Sequence, residues 1–488
     1  MGGDGEAFIR YGTTQGRWVI VAAVLGSGVV FLDGTVVNVA LPAMSRDLDA
    51  SLRGLQWILD GYLVTLSSLL LLGGSAGDRW GRRRVFVAGL AGFTAASVLC
   101  GLAPGVSFLI AARALQGVAG ALLVPASLSI ISSGFDPDDR GRAIGAWSGL
   151  AAVAGAAGPL LGGWLVDAAS WRFIFFLNVP LAGAAVAIAR RHVPETRDDD
   201  AGRLDVAGAA LVSVGIALVA YALIEHGRGG ASVAAGLAGV AALALFVAVE
   251  GRGDHPMLPL SLFRSRQFTG ANLTTFAVYG AMGAALFLVV LRLQVSLRYS
   301  ALEGGLSLLP FTLLMLTLSA RIGALAQRTG PRIPMTVGPM VSATGLLLFS
   351  RIGPGDHYVT AVLPAVAVFG LGMTITVAPL TAAVLAAVDR RRAGVASGVN
   401  NAAARLAGLL GIAVIPAVAG IGSGAGGAMA GGLDHGYAAA LRIAGAVCGA
   451  GGALSWFMVR TAAPVRTITH PSPTHACHDE CVEVSTGA

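Results

Sequence analysis

The sequence predicts an all-α integral membrane protein in which two six-helix bundles and two inserted helices give fourteen spans. Composition, the number of long apolar runs and an internal repeat support this prediction. Of the 488 residues, 55% are hydrophobic and 12% are charged, whereas about 25% of the residues of a soluble domain are charged. A chain with a mean hydropathy of +0.75 cannot cover its surface with solvated side chains, which excludes the soluble classes.

Fourteen apolar runs are long enough to cross a bilayer, since a spanning helix needs about 20 largely apolar residues. The first run is too long for the apolar part of a signal peptide, so we expect it to stay as a helix. The predicted spans cover residues 17–40, 53–74, 84–103, 106–132, 141–167, 172–191, 204–225, 231–250, 267–296, 303–325, 333–352, 357–387, 393–421 and 435–460.

The arginines between the spans predict the orientation, because cytoplasmic loops carry an excess of positive charge. With the N-terminus inside, the inner loops hold Arg79, Arg82, Arg83, Arg84, Arg140, Arg142, Arg190, Arg191, Arg197, Arg203, Arg252, Arg264, Arg266, Arg328, Arg332, Arg390, Arg391 and Arg392. The outer loops hold only Arg46, Arg53, Arg172, Arg228, Arg298 and Arg351. Both termini are therefore predicted to be cytoplasmic. All 33 basic residues are arginine and 69 residues are glycine, which suggests a GC-rich bacterial genome and a bacterial cytoplasmic membrane.

An internal repeat divides the chain into halves. The segment "GSAGDRWGRR" (74–83) aligns with "GALAQRTGPR" (323–332), and each follows the second span of a six-span unit. Repeated bundles of this kind are typical of transporters. The predicted parts are a cytoplasmic N-terminus (1–16), an N-terminal bundle (17–191), a cytoplasmic loop (192–203), two inserted spans (204–250), a C-terminal bundle (265–460) and a disordered cytoplasmic tail (461–488).

Three ionisable residues lie inside predicted spans at a similar depth. Asp33, Asp60 and Arg113 are each about seven residues, or about 10 Å, from the outer end of their span. A charge in the membrane is costly, and such residues usually pair or face a watered cavity on an ion pathway. We expect Asp33 and Arg113 to face a central cavity with Asp60 nearby, serving proton coupling or substrate binding. Helix cross-linking by the two acids, and an ordering role for Arg113, are the alternatives.

The loop "GDRWGRRR" (77–84) is too polar to lie in lipid and forms a candidate gate. Its glycines permit a tight turn, and an acid close to the start of the third span is stabilised by the helix dipole. A bare topology signal is the alternative. The candidate gating residues are Gly77, Asp78, Arg79, Gly81 and Arg82.

The fifth span contains "GPLLGG", in which Gly158, Gly162 and Gly163 surround Pro159. Small residues at this spacing let helices approach closely, and proline bends the backbone. Generic close packing would account for the motif as well as a functional role would.

The remaining polar residues in the spans are weaker candidates. Asn401 and Arg405 could reach a substrate in a cavity of the C-terminal bundle, although hydrogen bonding between helices explains them equally well. Glu225, Glu250 and Arg292 fall near span ends, where we expect them to snorkel to the interface.

No motif points to a cofactor or to catalysis. A phosphate-binding "GxxxxGK[ST]" loop is absent, so we expect the proton to be the coupling ion, with no enzyme activity and no nucleic-acid partner. In the tail, "HACHDEC" offers His475, Cys477, His478 and Cys481. Metal sites usually pair ligands on a folded scaffold, so metal binding is not expected.

Five stretches together resemble the major facilitator superfamily, in particular its fourteen-span drug:proton antiporters. They occur in the family's order and on consistent sides, over about residues 15–460. The stretches are "LDGTVVNVALP" (32–42), "GDRWGRRR" (77–84), "RALQGVAGALLVPASLSII" (113–131), "GPLLGGWL" (158–165) and "YSALEGGLSLLP" (299–310).

The resemblance implies a major facilitator fold that exports drugs or antibiotics by alternating access, driven by protons. It implies that Asp78 and Arg79 latch the two halves on the inside when the protein faces outward, and that the span 5 motif seals against proton leak. The second loop lacks the acid at Gln327, so its gating role is in doubt. We expect a monomer in the bilayer with a toxic amphiphilic substrate, cationic ones included.

Two other functions remain open. One is a uniporter or symporter of the same fold for a small nutrient, which the span 5 motif and the two additional spans disfavour. The other is a membrane sensor without transport. In a sensor the charges at Asp33, Asp60 and Arg113 would be dispensable, which their shared depth disfavours.

Overall fold

The computed structural model describes residues 8–198, 205–225, 229–252, 258–388, 393–421 and 429–460, and these residues form helices without a strand. The predicted all-α membrane fold is therefore confirmed. The helices are α1 (Thr14–Leu48), α2 (Leu52–Trp80), α3 (Arg82–Gly101), α4 (Val106–Gly134), α5 (Arg140–Ala168), α6 (Phe173–Phe176), α7 (Asn178–His192), α8 (Val206–Ile224), α9 (Gly230–Glu250), α10 (Arg266–Leu291), α11 (Ala301–Ser307), α12 (Leu309–Thr329), α13 (Arg332–Phe349), α14 (Leu363–Ala386), α15 (Ala393–Val418) and α16 (Met429–Met458).

These helices give up to fourteen candidate membrane spans. Within the described ranges, thirteen segments are individually long and apolar enough to cross a bilayer. The fourteenth is α2, which bends by 53° between Leu70 and Leu72. Two predicted spans are each built from two pieces, α6 with α7 and α11 with α12. A short π-helical turn extends α10 at its C-terminal end, and another precedes α14. The protein is thus a multi-pass membrane protein.

Local sequence fixes where several of these helices begin and end. Ser51 caps α2 by accepting a hydrogen bond from the backbone of Gly54, and Ser300 forms a capping box with Glu303 at the start of α11. Gly81 (φ +101°) separates α2 from α3, and Gly330 (φ +81°) separates α12 from α13. These two glycines occupy matching positions in the internal repeat. Both turns require a positive φ, which only glycine readily adopts.

The same helix pairs pack together in the two halves of the chain. In the first half α1 packs on α5 and α7, and α4 packs on α2 and α3. In the second half α10 packs on α15 and α16, and α14 packs on α12 and α13. The inserted helices α8 and α9 pack on each other, and α8 also lies against α2 and α15. The insertion therefore covers a seam between the halves.

The hydrophobic core differs between the two ends of the molecule. We call the end that holds the α2–α3 and α12–α13 turns the arginine-rich end. At the opposite end one apolar cluster draws on both halves, with Val36–Met44 of α1 packed together with Phe287–Leu291 of α10. Towards the arginine-rich end the clusters are separate, one around Phe86 and Phe135 and the other around Phe268 and Met335. The halves are thus joined at the opposite end.

The predicted snorkelling of Glu225, Glu250 and Arg292 is wrong, because all three side chains are buried. Arg292 donates to the carbonyl of Ile352 through Nε (3.2 Å) and Nη2 (3.1 Å) and stacks on Tyr437. Glu225 accepts a hydrogen bond from the indole of Trp57 at 3.2 Å. Glu250 accepts one from the backbone of Leu258 at 2.8 Å. Specific hydrogen bonds, and not solvent, stabilise these groups.

Candidate functional site

Asp33 and Arg113 form an ion pair inside the first bundle. Asp33 lies on α1 and is fully buried, and Arg113 lies on α4 with 1% of its side chain exposed. Arg113 Nη1 donates to Asp33 Oδ2, while Arg113 Nε donates to the carbonyl of Ile58 on α2 at 3.2 Å. The guanidinium also sits 4.1 Å above the ring of Tyr62. A buried ion pair needs such additional partners to offset the loss of hydration.

Polar side chains from three helices complete the network around this pair. Gln116 Nε2 donates to Asp33 Oδ1 at 2.9 Å, and Asn178 Nδ2 donates to the same oxygen at 3.2 Å. Both amides also donate to Ser97 Oγ, at 2.8 and 3.2 Å. The sequence prediction missed these three residues. Gln116 could have been found, because it lies one helical turn after Arg113 and shares its face.

Asp60 lies on a different face of α2 from Tyr62, whose ring covers Arg113. Gln56, four residues earlier, donates to the carbonyl of Ile412 on α15 at 2.8 Å. Val64, four residues later, packs with Leu409 of α15 and with α8. Residues four apart share a helix face, so Asp60 faces the seam between α2, α8 and α15. Asp60 makes no hydrogen bond to Arg113, and the expectation that it lies near Asp33 and Arg113 stays a prediction.

The carboxyl group of Asp60 has no partner within the described part of the chain. The residue is fully buried, and neither carboxyl oxygen accepts a hydrogen bond from a described residue. The contrast with Asp33 is complete, since Asp33 accepts from an arginine and two amides. An ionised carboxylate without a partner is unstable when buried, whereas a protonated carboxyl costs far less to bury.

A cavity of about 320 Å³ lies between the two halves, towards the arginine-rich end. Its walls come from α1, α2, α10, α14 and α15, and Thr381 and Ser397 lie near the arginine-rich ends of the last two. The polar lining residues are Tyr279, Thr381, Ser397, Asn400, Asn401 and Arg405, and the larger apolar ones are Phe31, Leu63, Met282, Val384 and Leu385. The size and the mixed lining are those of a small-molecule site.

The structure corrects which predicted residues line this cavity. Asn401 and Arg405 do, whereas Asp33 and Arg113 do not. The ring of Tyr62 packs against Arg113 at 4.1 Å, and the ring of Phe31, which lines the cavity, lies 5.7 Å from the Arg405 guanidinium. The cavity and the ion pair are thus separate but adjacent sites.

The residues of the candidate gate lie at the arginine-rich end. Asp78 is in the last turn of α2, and its Oδ1 accepts from Arg82 Nε (3.0 Å) and Nη2 (2.8 Å) and from Ser129 Oγ (3.3 Å). Gly77 is helical, so the turn occurs at Gly81. Arg79 is exposed. The contacts that the structure gives Asp78 lie within the first half and its following segment, where the backbone of Asp198 donates to the Asp78 carbonyl.

The span 5 motif brings α5 against helices of both halves. A Cβ added to Gly158 would lie 2.0 Å from Thr35 Oγ1, and one on Gly162 would lie 2.5 Å from Val36, both on α1. A Cβ on Gly163 would lie 2.6 Å from the carbonyl of Ala301 on α11. Pro159 lies inside α5. The glycines therefore permit backbone contact where a larger residue would force the helices apart.

Hydrogen bonds across the halves reinforce the closed end opposite the arginines. Asp167 accepts from the backbone N–H groups of Ala301 (3.1 Å) and Leu302 (2.8 Å) at the start of α11. Gln294 donates to the carbonyl of Val39 at 2.8 Å. Together with the Gln56 contact, they join α1, α2 and α5 to the second half. The halves are therefore held together at this end by hydrogen bonds between side chains of one half and backbone groups of the other.

The tail residues His475, Cys477, His478 and Cys481 lie outside the described residues. Within the described ranges, no group of three or more His, Cys, Asp or Glu side chains is placed to hold a metal ion.

Comparison with known proteins identifies the relatives of this chain. Residues 23–412 match the model of the Major Facilitator Superfamily. The chain is 36% identical to the probable actinorhodin transporter of Streptomyces coelicolor, with 82% of this chain and 72% of that protein aligned. It is 36% identical to the puromycin resistance protein pur8 of Streptomyces alboniger, with 88% and 86% aligned. It is 33% identical to the multidrug resistance protein Stp of Mycobacterium tuberculosis, with 82% and 75% aligned.

Solved structures show the same fold at low sequence identity. A POT family transporter in complex with 5-aminolevulinic acid superposes with a TM-score of 0.67, covering 90% of this chain and 94% of that one at 12% identity. A peptide transporter POT variant in complex with sulfate gives a TM-score of 0.66 at 14% identity, covering 90% and 93%. At this identity the likeness concerns the fold alone.

Proposed function

Because this chain belongs to the major facilitator superfamily, we propose that it exports amphiphilic drugs or antibiotics from the cytoplasm in exchange for protons. Relatives at 33–36% identity are named as an actinorhodin transporter, a puromycin resistance protein and a multidrug resistance protein. These names support export of toxic compounds over uptake of a nutrient. The protein would act as a monomer in a bacterial cytoplasmic membrane, with the arginine-rich end in the cytoplasm.

The observation that carries the proton-coupling part is Asp60. Its carboxyl is fully buried without a hydrogen-bond partner, at a seam between the halves and one turn from Leu63, which lines the cavity. Such a carboxyl is stable when a proton neutralises it and unstable when the proton leaves. Separation of α2 from α15 would hydrate Asp60 and let the proton dissociate, so the protonation state would follow the conformation.

The conformation of the structure fits one end point of alternating access. The halves are joined at the end opposite the arginines, and the cavity lies towards the arginine-rich end. A substrate would enter here from the cytoplasm and leave after the opposite end opened and the arginine-rich end closed. Asp33 and Arg113 would take part through Tyr62, which packs against Arg113 and precedes the cavity residue Leu63.

One proton per cycle is sufficient to drive this export. A charge that moves through 100 mV releases about 2.3 kcal/mol, which sustains a substrate gradient of roughly fifty-fold. No nucleotide is required, and the proton is the only coupling species.

The test is Asp60→Asn in inverted vesicles loaded with a proton gradient, with puromycin and a panel of amphiphilic antibiotics as candidate substrates. We expect substrate-induced proton efflux in the wild type and none above the level of empty vesicles in Asp60→Asn. Substrate exchange without a gradient should survive in the variant, because the cavity is unchanged. The melting temperature should stay near that of the wild type, since Asp60 gives up no hydrogen bond.

The matched control is Asp138→Asn, which removes an exposed acid from the loop between α4 and α5. It should leave efflux unchanged. Efflux in Asp60→Asn equal to that of the wild type would move the coupling role to Asp33 or elsewhere. An absence of proton movement in the wild type with every compound would refute drug:proton antiport.

A further inference from the structure

We propose that the cavity between the halves selects amphiphiles that carry an anionic group, and that Arg405 binds that group. This inference rests on the proposed export function and specifies its substrate class. Among the described residues that line the cavity, Arg405 carries the only formal charge. The described part of the lining contains no aspartate or glutamate, which a site for cationic compounds would use to neutralise its ligand.

Arg405 has no anionic partner among the described residues. No carboxylate of these residues lies within ion-pair distance of its guanidinium, which lies over the face of the Phe31 ring at 5.7 Å from the ring centre. Arg113, the other arginine in the middle of the molecule, is paired with Asp33. A half-buried guanidinium without a counter-ion is less stable than a paired one. An anionic ligand would supply the counter-ion for the Arg405 guanidinium.

The lining around Arg405 combines polar and apolar groups. Asn401 lies one turn before Arg405 on α15, and Tyr279 contributes a hydroxyl from α10. Asn400 Nδ2 donates to Thr275 Oγ1 at 2.7 Å, which ties this part of α15 to α10. Leu63 and Met282 add apolar surface. A ligand with an apolar body and a carboxylate, phenolate or sulfonate would find partners for both of its parts.

The guanidinium suits this group, because it offers several N–H donors in a fixed plane and stays charged at any physiological pH. A cationic compound would be repelled by Arg405 and would find no compensating acid in the lining. The expectation from sequence that cationic amphiphiles are substrates is therefore replaced by a preference for anionic ones.

The test compares two dyes of one skeleton, fluorescein, which is anionic, and rhodamine 123, which is cationic. Fluorescence anisotropy is measured with the full chain in nanodiscs of a zwitterionic lipid at pH 7.5, and the signal of empty nanodiscs is subtracted. We expect fluorescein to bind at least about tenfold more tightly than rhodamine 123. Arg405→Gln should weaken fluorescein binding at least about tenfold, as loss of a hydrogen bond to a charged group implies. Arg405→Lys should recover part of the affinity.

Arg351→Gln removes an exposed arginine at the other end of the molecule and should leave both affinities unchanged, which controls for net charge. The proposal is overturned if rhodamine 123 binds more tightly to the wild type, if fluorescein shows no saturable binding, or if Arg405→Gln binds fluorescein as the wild type does. Binding is measured without a proton gradient, so it is independent of antiport. Selective fluorescein binding without proton efflux would refute antiport and keep the anion site.

Discussion

At the scale of the residue, the molecule holds its two central acids in opposite ways. Asp33 accepts hydrogen bonds from Arg113, Gln116 and Asn178 within the first bundle. Asp60 is equally buried and accepts none from the described residues. This difference in partners is why the proposed proton-coupling role rests on Asp60.

We predict that Asp33→Asn destabilises the protein by about 3–5 kcal/mol, because it leaves the charge of Arg113 buried without a counter-ion. The double variant Asp33→Asn with Arg113→Gln should recover part of that loss, since both charges are then gone. The free energy of unfolding can be measured by detergent titration in mixed micelles.

The control for this comparison of single and double variants is the solvent-accessible ion pair between Asp47 and Arg172 in the same half. Asp47→Asn should cost only about 0–1 kcal/mol, as surface ion pairs do. A double variant less stable than Asp33→Asn would contradict the view that the unpaired charge causes the loss.

At the scale of the element, α5 is the helix that connects the halves at the closed end. Its glycines lie against α1 and α11, and Asp167 at its end accepts two backbone hydrogen bonds from α11. The span 5 motif and this carboxylate thus belong to one interface. The spacing of the glycines predicts close helix packing, whereas in the sequence Asp167 is indistinguishable from an ordinary acid near a helix end.

We predict that Asp167→Asn shifts the population towards a conformation open at this end. The amide of the variant offers one uncharged acceptor oxygen in place of a carboxylate, so the closed conformation loses about 1–2 kcal/mol of stabilisation. This loss would lower the ratio of closed to open molecules about five- to thirty-fold. Double electron–electron resonance between labels at Ala169→Cys and Arg351→Cys, both exposed positions, measures the separation. Cys477 and Cys481 are replaced by serine in this background.

Asp356→Asn is the matched variant for this measurement, because Asp356 accepts its hydrogen bond from Gly353 in its own loop at 2.8 Å. It should leave the distance distribution unchanged. A distribution in Asp167→Asn identical to that of the wild type would show that the apolar contacts alone hold this end closed.

At the scale of the whole molecule, two similar bundles meet over one shared apolar cluster and leave a cavity at the other end. Corresponding helices pack together in each half. The ten-residue repeat in the sequence is therefore the visible part of an architecture that is repeated over the whole bundle. The inserted pair α8 and α9 adds a buried surface to the seam at α2 and α15, which is also where Asp60 lies.

We predict that the arginine-rich end is cytoplasmic, because positive charge is retained on that side during insertion. In a background in which Cys477 and Cys481 are serine, a cysteine at Trp80, which is 57% exposed at the end of α2, should react with an impermeant maleimide in inverted vesicles and not in intact cells. A cysteine at Ala169 should show the reverse. The native Cys100 and Cys448 are fully buried and should stay silent, and reversed labelling would refute the orientation.

The class of the protein, its spans to within a few residues in most cases, and the glycines that separate α2 from α3 and α12 from α13 follow from local sequence. Composition and apolar run length suffice for the class and the spans, because the bilayer allows only helices of a given length and hydrophobicity. The rotation of each helix about its axis depends instead on the packing of the folded chain. Asp33, Asp60 and Arg113 share a depth, yet Asp60 faces α15 while Asp33 and Arg113 face the inside of their bundle. Rotation depends on contacts between segments distant in sequence, such as Gly158 with Thr35, and no local pattern specifies them.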